Sequence, residues 1–147
     1  MNDGLKELYD NYLELSSKER IERSKQAAET LSTSFELSQF NGDEGNIFPK
    51  LVFALFIGSD LKVTGRECDI FNAVFDEDYD LSTLVAFVRK YLNEATIEEI
   101  DHITDNLPFE LKNEVCIIGL SIISEDGVIE EREESLFEKI LRNPAII

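Results

Sequence analysis

Two runs of almost uninterrupted apolar residues constrain the fold more than any other feature of the chain. They are LVFALFI at 51–57 and VCIIGLSII at 115–123. Apolar residues in the flanking segments recur every three or four positions, which is the helical period and not the alternation of a strand. A helix that is apolar on every side is stable in water only when other helices surround it. Both runs are far shorter than the ~20 residues that span a membrane, so we predict an all-α protein with two buried central helices.

Capping signals place the other helices. A Ser or Thr three positions before a Glu has the spacing of a capping box, in which each side chain bonds the other residue's backbone N–H. We predict three such boxes at helix starts: Ser16 with Glu19, Thr64 with Glu67, and Thr96 with Glu99. Asp80 is predicted to cap a further helix, and Pro108 fits a helix start. With a last helix carrying Leu136, Phe137, Ile140 and Leu141, the signals predict about eight helices.

An internal repeat relates the two apolar runs and the helices that follow them. Asp126 lies 66 positions after Asp60, and the same shift aligns a series of similar residues without a gap. The aligned pairs are Asp60 and Asp126, Val63 and Ile129, Arg66 and Arg132, Glu67 and Glu133, Ile70 and Leu136, Phe71 and Phe137, Val74 and Ile140, Phe75 and Leu141. Two copies of a unit that cannot bury its apolar face alone are expected to pack on each other. We predict two helical hairpins related by a pseudo-two-fold axis.

The repeat divides the chain, which we interpret as a single domain over residues 1–147. An N-terminal extension of two helices covers 1–45, the first repeat hairpin covers 46–80, connecting helices cover 81–107, and the second repeat hairpin covers 108–142.

Charge restricts the partners that the chain can bind. The sequence has 31 Asp and Glu residues against 14 Lys and Arg, which gives a net charge of -17. Nucleic acids and anionic membranes recruit Lys and Arg, so direct binding to either is not expected. The charge either keeps the protein solvated or attracts a cationic partner, such as metal ions or a protein with a basic surface.

The cysteines and the N-terminal segment indicate the compartment. Cys68 and Cys116 form no C-x-x-C pair and lie in apolar helical patterns, so we expect reduced, buried thiols. The segment MNDGLKELYD has neither the basic nor the apolar region of a signal peptide. We expect a cytoplasmic protein.

The acid-rich stretch SEDGVIEEREESLF at 124–137 has some features of an EF-hand calcium loop. With Gly127 at loop position six, Glu133 falls at the bidentate position twelve. Position one is then Ile122, which offers no ligand oxygen, and in the first repeat Leu61 replaces the glycine. The stretch is better interpreted as the turn of the second hairpin, with its acids at the start of the next helix.

The candidate functional residues are acidic and form two sets, one for a metal ion and one for a protein partner. The first set, which would bind a divalent cation across the pseudo-two-fold, is Asp60, Glu67, Asp126 and Glu133. The second set, an acidic surface for a basic partner, is Glu125, Glu130, Glu131 and Glu134. The alternative is that all of these acids only cap helices and face solvent. No catalytic residues are predicted, because the glycines match no phosphate-binding loop and His102 is the only histidine.

The repeated pattern of an apolar helix, an Asp-Gly turn and a Glu-bearing helix resembles the tellurite-resistance TerB-like family. The segments that carry the resemblance are 125–129 (EDGVI) with Glu133, and 60–63 (DLKV) with Glu67. The resemblance implies a small, acidic, all-helical cytoplasmic protein of a bacterial stress or resistance system that binds metal or partner proteins. We therefore expect a non-catalytic adaptor, not an enzyme. The alternative is an acidic inhibitor or immunity-type protein that mimics nucleic acid and blocks a basic partner.

Overall fold

The structure is a computed structural model that describes residues 3–41, 45–58, 63–126, 135, 137 and 138. For residues 3–5, 35, 58, 125 and 126 it describes the backbone only. Every regular element in this part of the chain is helical, which confirms the all-α prediction. The eight α-helices are α1 (Asp3–Leu13), α2 (Ser17–Thr33), α3 (Ser38–Asn41), α4 (Ile47–Gly58), α5 (Gly65–Phe75), α6 (Leu81–Tyr91), α7 (Glu94–Asp105) and α8 (Phe109–Asp126), with a 3-10 turn at Phe35–Leu37 before α3.

Two of the predicted capping boxes are confirmed. At the start of α2, the Ser16 backbone N–H donates to Glu19 Oε1 at 3.0 Å, and the Glu19 N–H donates to Ser16 Oγ at 3.2 Å. Thr64 and Glu67 form the same arrangement at the start of α5. Asp80 caps α6 as predicted and accepts from the Thr83 N–H at 2.8 Å. These starts are predictable because donor and acceptor lie within one helical turn.

The third capping box, Thr96 with Glu99, is wrong. Helix α7 begins at Glu94, and its N-cap is Asn93, whose Oδ1 accepts from the Thr96 N–H at 3.0 Å. Asparagine is among the best N-cap residues and lies three positions closer to the end of α6. The helix therefore starts one turn earlier, and Thr96 is the backbone donor in the cap.

The described residues up to Asp126 form eight α-helices, and this set differs from the eight that the sequence predicts. Apolar spacing does not predict α3, because four residues are too short to show a helical period. Asn41 at its end joins two longer helices: its Nδ2 donates to the Leu31 carbonyl at 3.2 Å, and the Phe48 N–H donates to its Oδ1 at 2.8 Å. The predicted last helix lies largely outside the described residues, although Phe137 and Glu138 are helical.

The two apolar runs form the centre of the core, as predicted. Every side chain from 51 to 57 in α4 is buried, and so is every one from 115 to 124 in α8 apart from Gly119, which has none. Helix α4 packs against α8, and α2 packs across both of them. Leu31 of α2 is fully buried at this crossing. Among the described helices, none combines the length and the apolar character that a membrane crossing requires.

The repeat-related residues Phe71 and Phe137 share burial and one kind of ring contact. Both are fully buried, and each packs on a phenylalanine of α4. The ring centroids are 5.4 Å apart for Phe71 and Phe53, and 5.0 Å apart for Phe137 and Phe56. This similarity agrees with an internal repeat. The pseudo-two-fold relation of the hairpins stays a prediction, because both hairpin turns lie outside the described residues.

Candidate functional site

Most of the acidic residues predicted as a site fall outside the described part of the chain. Those wholly outside it are Asp60, Glu130, Glu131, Glu133 and Glu134. Glu125 and Asp126 end helix α8, but their side chains are not described. Glu67 alone among the predicted residues has a described side chain, so the structure does not test whether these acids meet.

The carboxylate of Glu67 is part of the capping box at the start of α5. Its Oε1 accepts from the Thr64 backbone N–H at 2.8 Å, and its own N–H donates to Thr64 Oγ1 at 3.1 Å. The capping function proposed as the alternative for this residue is thus present. Within the described residues, no three His, Cys, Asp or Glu side chains converge in a way that could hold a metal ion.

Helix α7 carries a row of acids that the site prediction missed. Glu94, Glu98, Asp101 and Asp105 follow one another at intervals of four, three and four residues, and the helix has no Lys or Arg. These intervals place all four on one side of the helix. We call this row the α7 acidic stripe. The same spacing rule that identifies apolar faces would have found it, had it been applied to the acids.

The α7 acidic stripe faces solvent at one end and is half-buried at the other. Glu94 and Glu98 are exposed, while Asp101 and Asp105 are half-buried. No Lys or Arg of the described chain forms an ion pair with Glu94, Glu98 or Asp105. Like charges at this spacing disfavour a helix by about 0.2–0.5 kcal/mol per pair. The stripe therefore weakens its own helix and leaves a negative potential open to a cationic partner.

Several basic side chains lie where they cannot balance this surface. Lys50 is buried and donates to Glu77 Oε1 at 2.9 Å. Arg23 makes a bidentate pair with Glu114, with N–O distances of 3.1 and 3.2 Å, and so joins α2 to α8. Lys112 is fully buried in α8. Because Lys112 is inside the protein and Lys50 and Arg23 are each paired with an acid, none of the three offers a free positive charge to the stripe.

Neither thiol has the properties of a nucleophile. Cys68 and Cys116 are free and buried, as predicted. Burial raises the pKa of Cys116 to about 12, and burial is also the main cause that raises the pKa of Cys68. The reactive form of cysteine is the thiolate, so both side chains are inert at neutral pH.

His102 is exposed on α7. It lines a surface cleft together with Glu36, Ile103, Asn106 and Leu107.

Comparison of the chain with protein-family models, with curated proteins and with solved protein structures gives no match. The resemblance to the TerB-like family accordingly rests on the repeat motif alone.

Proposed function

We propose that this protein is a non-catalytic binding protein that docks a partner with a basic surface through the α7 acidic stripe. The observation that carries the proposal is the run of four acids on one face of α7 with no basic residue in the helix. An acidic surface of this kind accelerates encounter with a positively charged partner and selects against acidic ones. The buried Lys112 increases the contrast, because its ammonium group is removed from the surface.

The finer assignment is a TerB-like adaptor of a bacterial stress or tellurite-resistance-type system, acting in the cytoplasm. The all-helical architecture and the similar surroundings of Phe71 and Phe137 support it. Weak binding of a divalent cation by Asp60, Glu67, Asp126 and Glu133 is a subordinate part of this proposal. Calorimetry with Ca²⁺, Mg²⁺, Mn²⁺ and Zn²⁺ tests it. Heat from the wild type that is lost in Asp126→Asn supports the site, and no heat from the wild type excludes it.

An acidic inhibitor is the alternative function, and the geometry of the stripe is the observation that favours it. Four acids along one α-helix extend over about 16 Å at 1.5 Å per residue. A linear row of negative charge with this length has the shape to occupy the nucleic-acid groove of a basic protein. In that case the captured partner is a nuclease or DNA-binding protein, and the chain competes with nucleic acid for it.

The docking proposal is tested by affinity capture from a lysate with salt-resolved elution, using two variants of equal charge. The stripe variant is Glu94→Gln/Glu98→Gln/Asp105→Asn. The control, Glu7→Gln/Glu22→Gln/Glu29→Gln, removes the same charge from exposed positions on α1 and α2. We expect the wild type and the control to retain the same basic partner and the stripe variant to release it at much lower salt.

The comparison separates a specific surface from a general effect of charge. Equal weakening by both variants would mean that net charge alone drives capture and that the stripe is not the docking surface. Equal retention by all three proteins would exclude the stripe as well. Once a partner is identified, its nucleic-acid binding with and without the wild-type chain distinguishes the inhibitor from the adaptor.

A further inference from the structure

Helix α6 presents an exposed, largely apolar face. Leu84 and Val88 on its inner side are buried against the core. On the outer side a shallow hollow is lined by Leu81, Ser82, Val85, Ala86 and Arg89. Leu81 is 42% exposed, the largest exposed fraction among the described large apolar side chains. An exposed apolar face of this kind marks an interaction surface.

The two ends of this face carry opposite charges. Arg89 lies in the last turn of α6, and Asp78 lies just before its first turn. Both side chains are exposed, and the described part of the chain gives neither of them an ion-pair or hydrogen-bond partner. Helix α6 itself contains no Asp or Glu. The chain as a whole has a net charge of -17. Helix α6 is therefore a segment whose own side chains do not repel a second acidic molecule.

We propose that α6 pairs with α6 of a second copy of this chain, in antiparallel orientation about a two-fold axis. With Val85 on the axis, Arg89 lies opposite Leu81 of the second copy, near the Asp78 and Asp80 that precede it. The two-fold axis repeats this charge pairing at the other end. Ser82 and Ala86 are small, so the helix axes can approach to roughly 8 Å.

A second copy fits the face better than an unrelated partner, because the face is complementary to itself. Isologous pairing requires one patch to supply both members of each contact. The α6 face does so, with a positive end, a negative end and apolar residues between them. Its five side chains fall short of the about 800 Å² per partner that a stable interface buries. The dimer is accordingly weak and depends on protein concentration.

Sedimentation velocity on the full chain at rising concentration tests the proposal. The wild type shows a concentration-dependent shift from monomer to dimer. Val85→Glu places a charge on the axis and is expected to raise the dissociation constant at least tenfold. Glu99→Gln, an exposed position on α7 outside the face, is the control and leaves it unchanged. A wild type that stays monomeric at several hundred micromolar would overturn the proposal.

Charge exchange tests the antiparallel geometry itself. Asp78→Arg replaces a negative charge with a positive one at the first end of the face, and Arg89→Asp makes the opposite change at the other end. Each variant alone is expected to lose self-association, whereas an equimolar mixture of the two forms a heterodimer, and the double variant Asp78→Arg/Arg89→Asp dimerises again. Circular dichroism confirms that each variant is folded. Dimerisation of either single variant at wild-type strength, or failure of the mixture to associate, would refute the pairing.

Discussion

Replacing Gly119 with valine is expected to lower the free energy of unfolding by about 2–4 kcal/mol, since overpacking a dense core forces rings and backbone to shift. A Cβ atom at this position would lie 2.6 Å from Cζ of Phe56 and 2.9 Å from Cζ of Phe137. Both rings are essentially fully buried, so a shift of either ring displaces other core side chains. Denaturant unfolding followed by circular dichroism measures the change.

The matched control for this substitution is Gly65→Val. Gly65 is the first residue of α5, and a Cβ there meets no atom within 4 Å. The control is expected to change the free energy of unfolding by no more than about 0.5 kcal/mol, as is usual for surface positions. If Gly119→Val were as stable as the wild type, α4 and α8 would not approach each other as closely as the structure shows.

Replacing Lys112 with methionine is expected to raise the free energy of unfolding by about 1–3 kcal/mol, since a buried polar group without a partner carries its full desolvation penalty. The Lys112 side chain is fully buried, and no described residue is a hydrogen-bond partner of its Nζ. Methionine has a similar length and flexibility and fills the same space without a charge. Thermal and denaturant unfolding measure the gain.

Lys50→Met is the matched control, because Lys50 is a buried lysine that has partners. Its Nζ lies 2.9 Å from Glu77 Oε1 and 5.9 Å from the ring centre of Tyr79. Removing it leaves the half-buried Glu77 carboxylate without its cation, so the control is expected to be neutral or destabilising. A Lys112→Met protein that is less stable than the wild type would show that the ammonium group is satisfied in solution and contributes to the fold.

Local features of the fold could be predicted from the sequence, because their donors and acceptors are close in the chain. Ser16 with Glu19 and Thr64 with Glu67 are such cases. The predicted cap at Thr96 is wrong, because Asn93 is a stronger cap one turn earlier. The spacing of the residues alone does not show which of the two caps the helix. The 3-10 turn and α3 have no periodic signal, and Asn41 acts through bonds to Leu31 and Phe48, the more distant of which is ten positions away.

Features that depend on which helices meet could not be predicted. The sequence shows that 115–123 is apolar, but only the packing of α4 on α8 explains why position 119 is a glycine. Nothing in the spacing around Lys112 distinguishes a buried lysine from an exposed one. The candidate surface is an intermediate case: the acids of α7 follow a simple helical interval, but which of them meet a basic side chain depends on how the helices pack.

The account makes the α7 acidic stripe the docking surface, and one measurement tests this most directly. The captured partner is purified, and its affinity for the wild type, the stripe variant and the charge-matched control is measured by calorimetry at low and at physiological salt. The account predicts that the stripe variant binds at least tenfold more weakly and with a shallower salt dependence, while the control binds like the wild type. Equal affinity of the three proteins at both salt concentrations would contradict it.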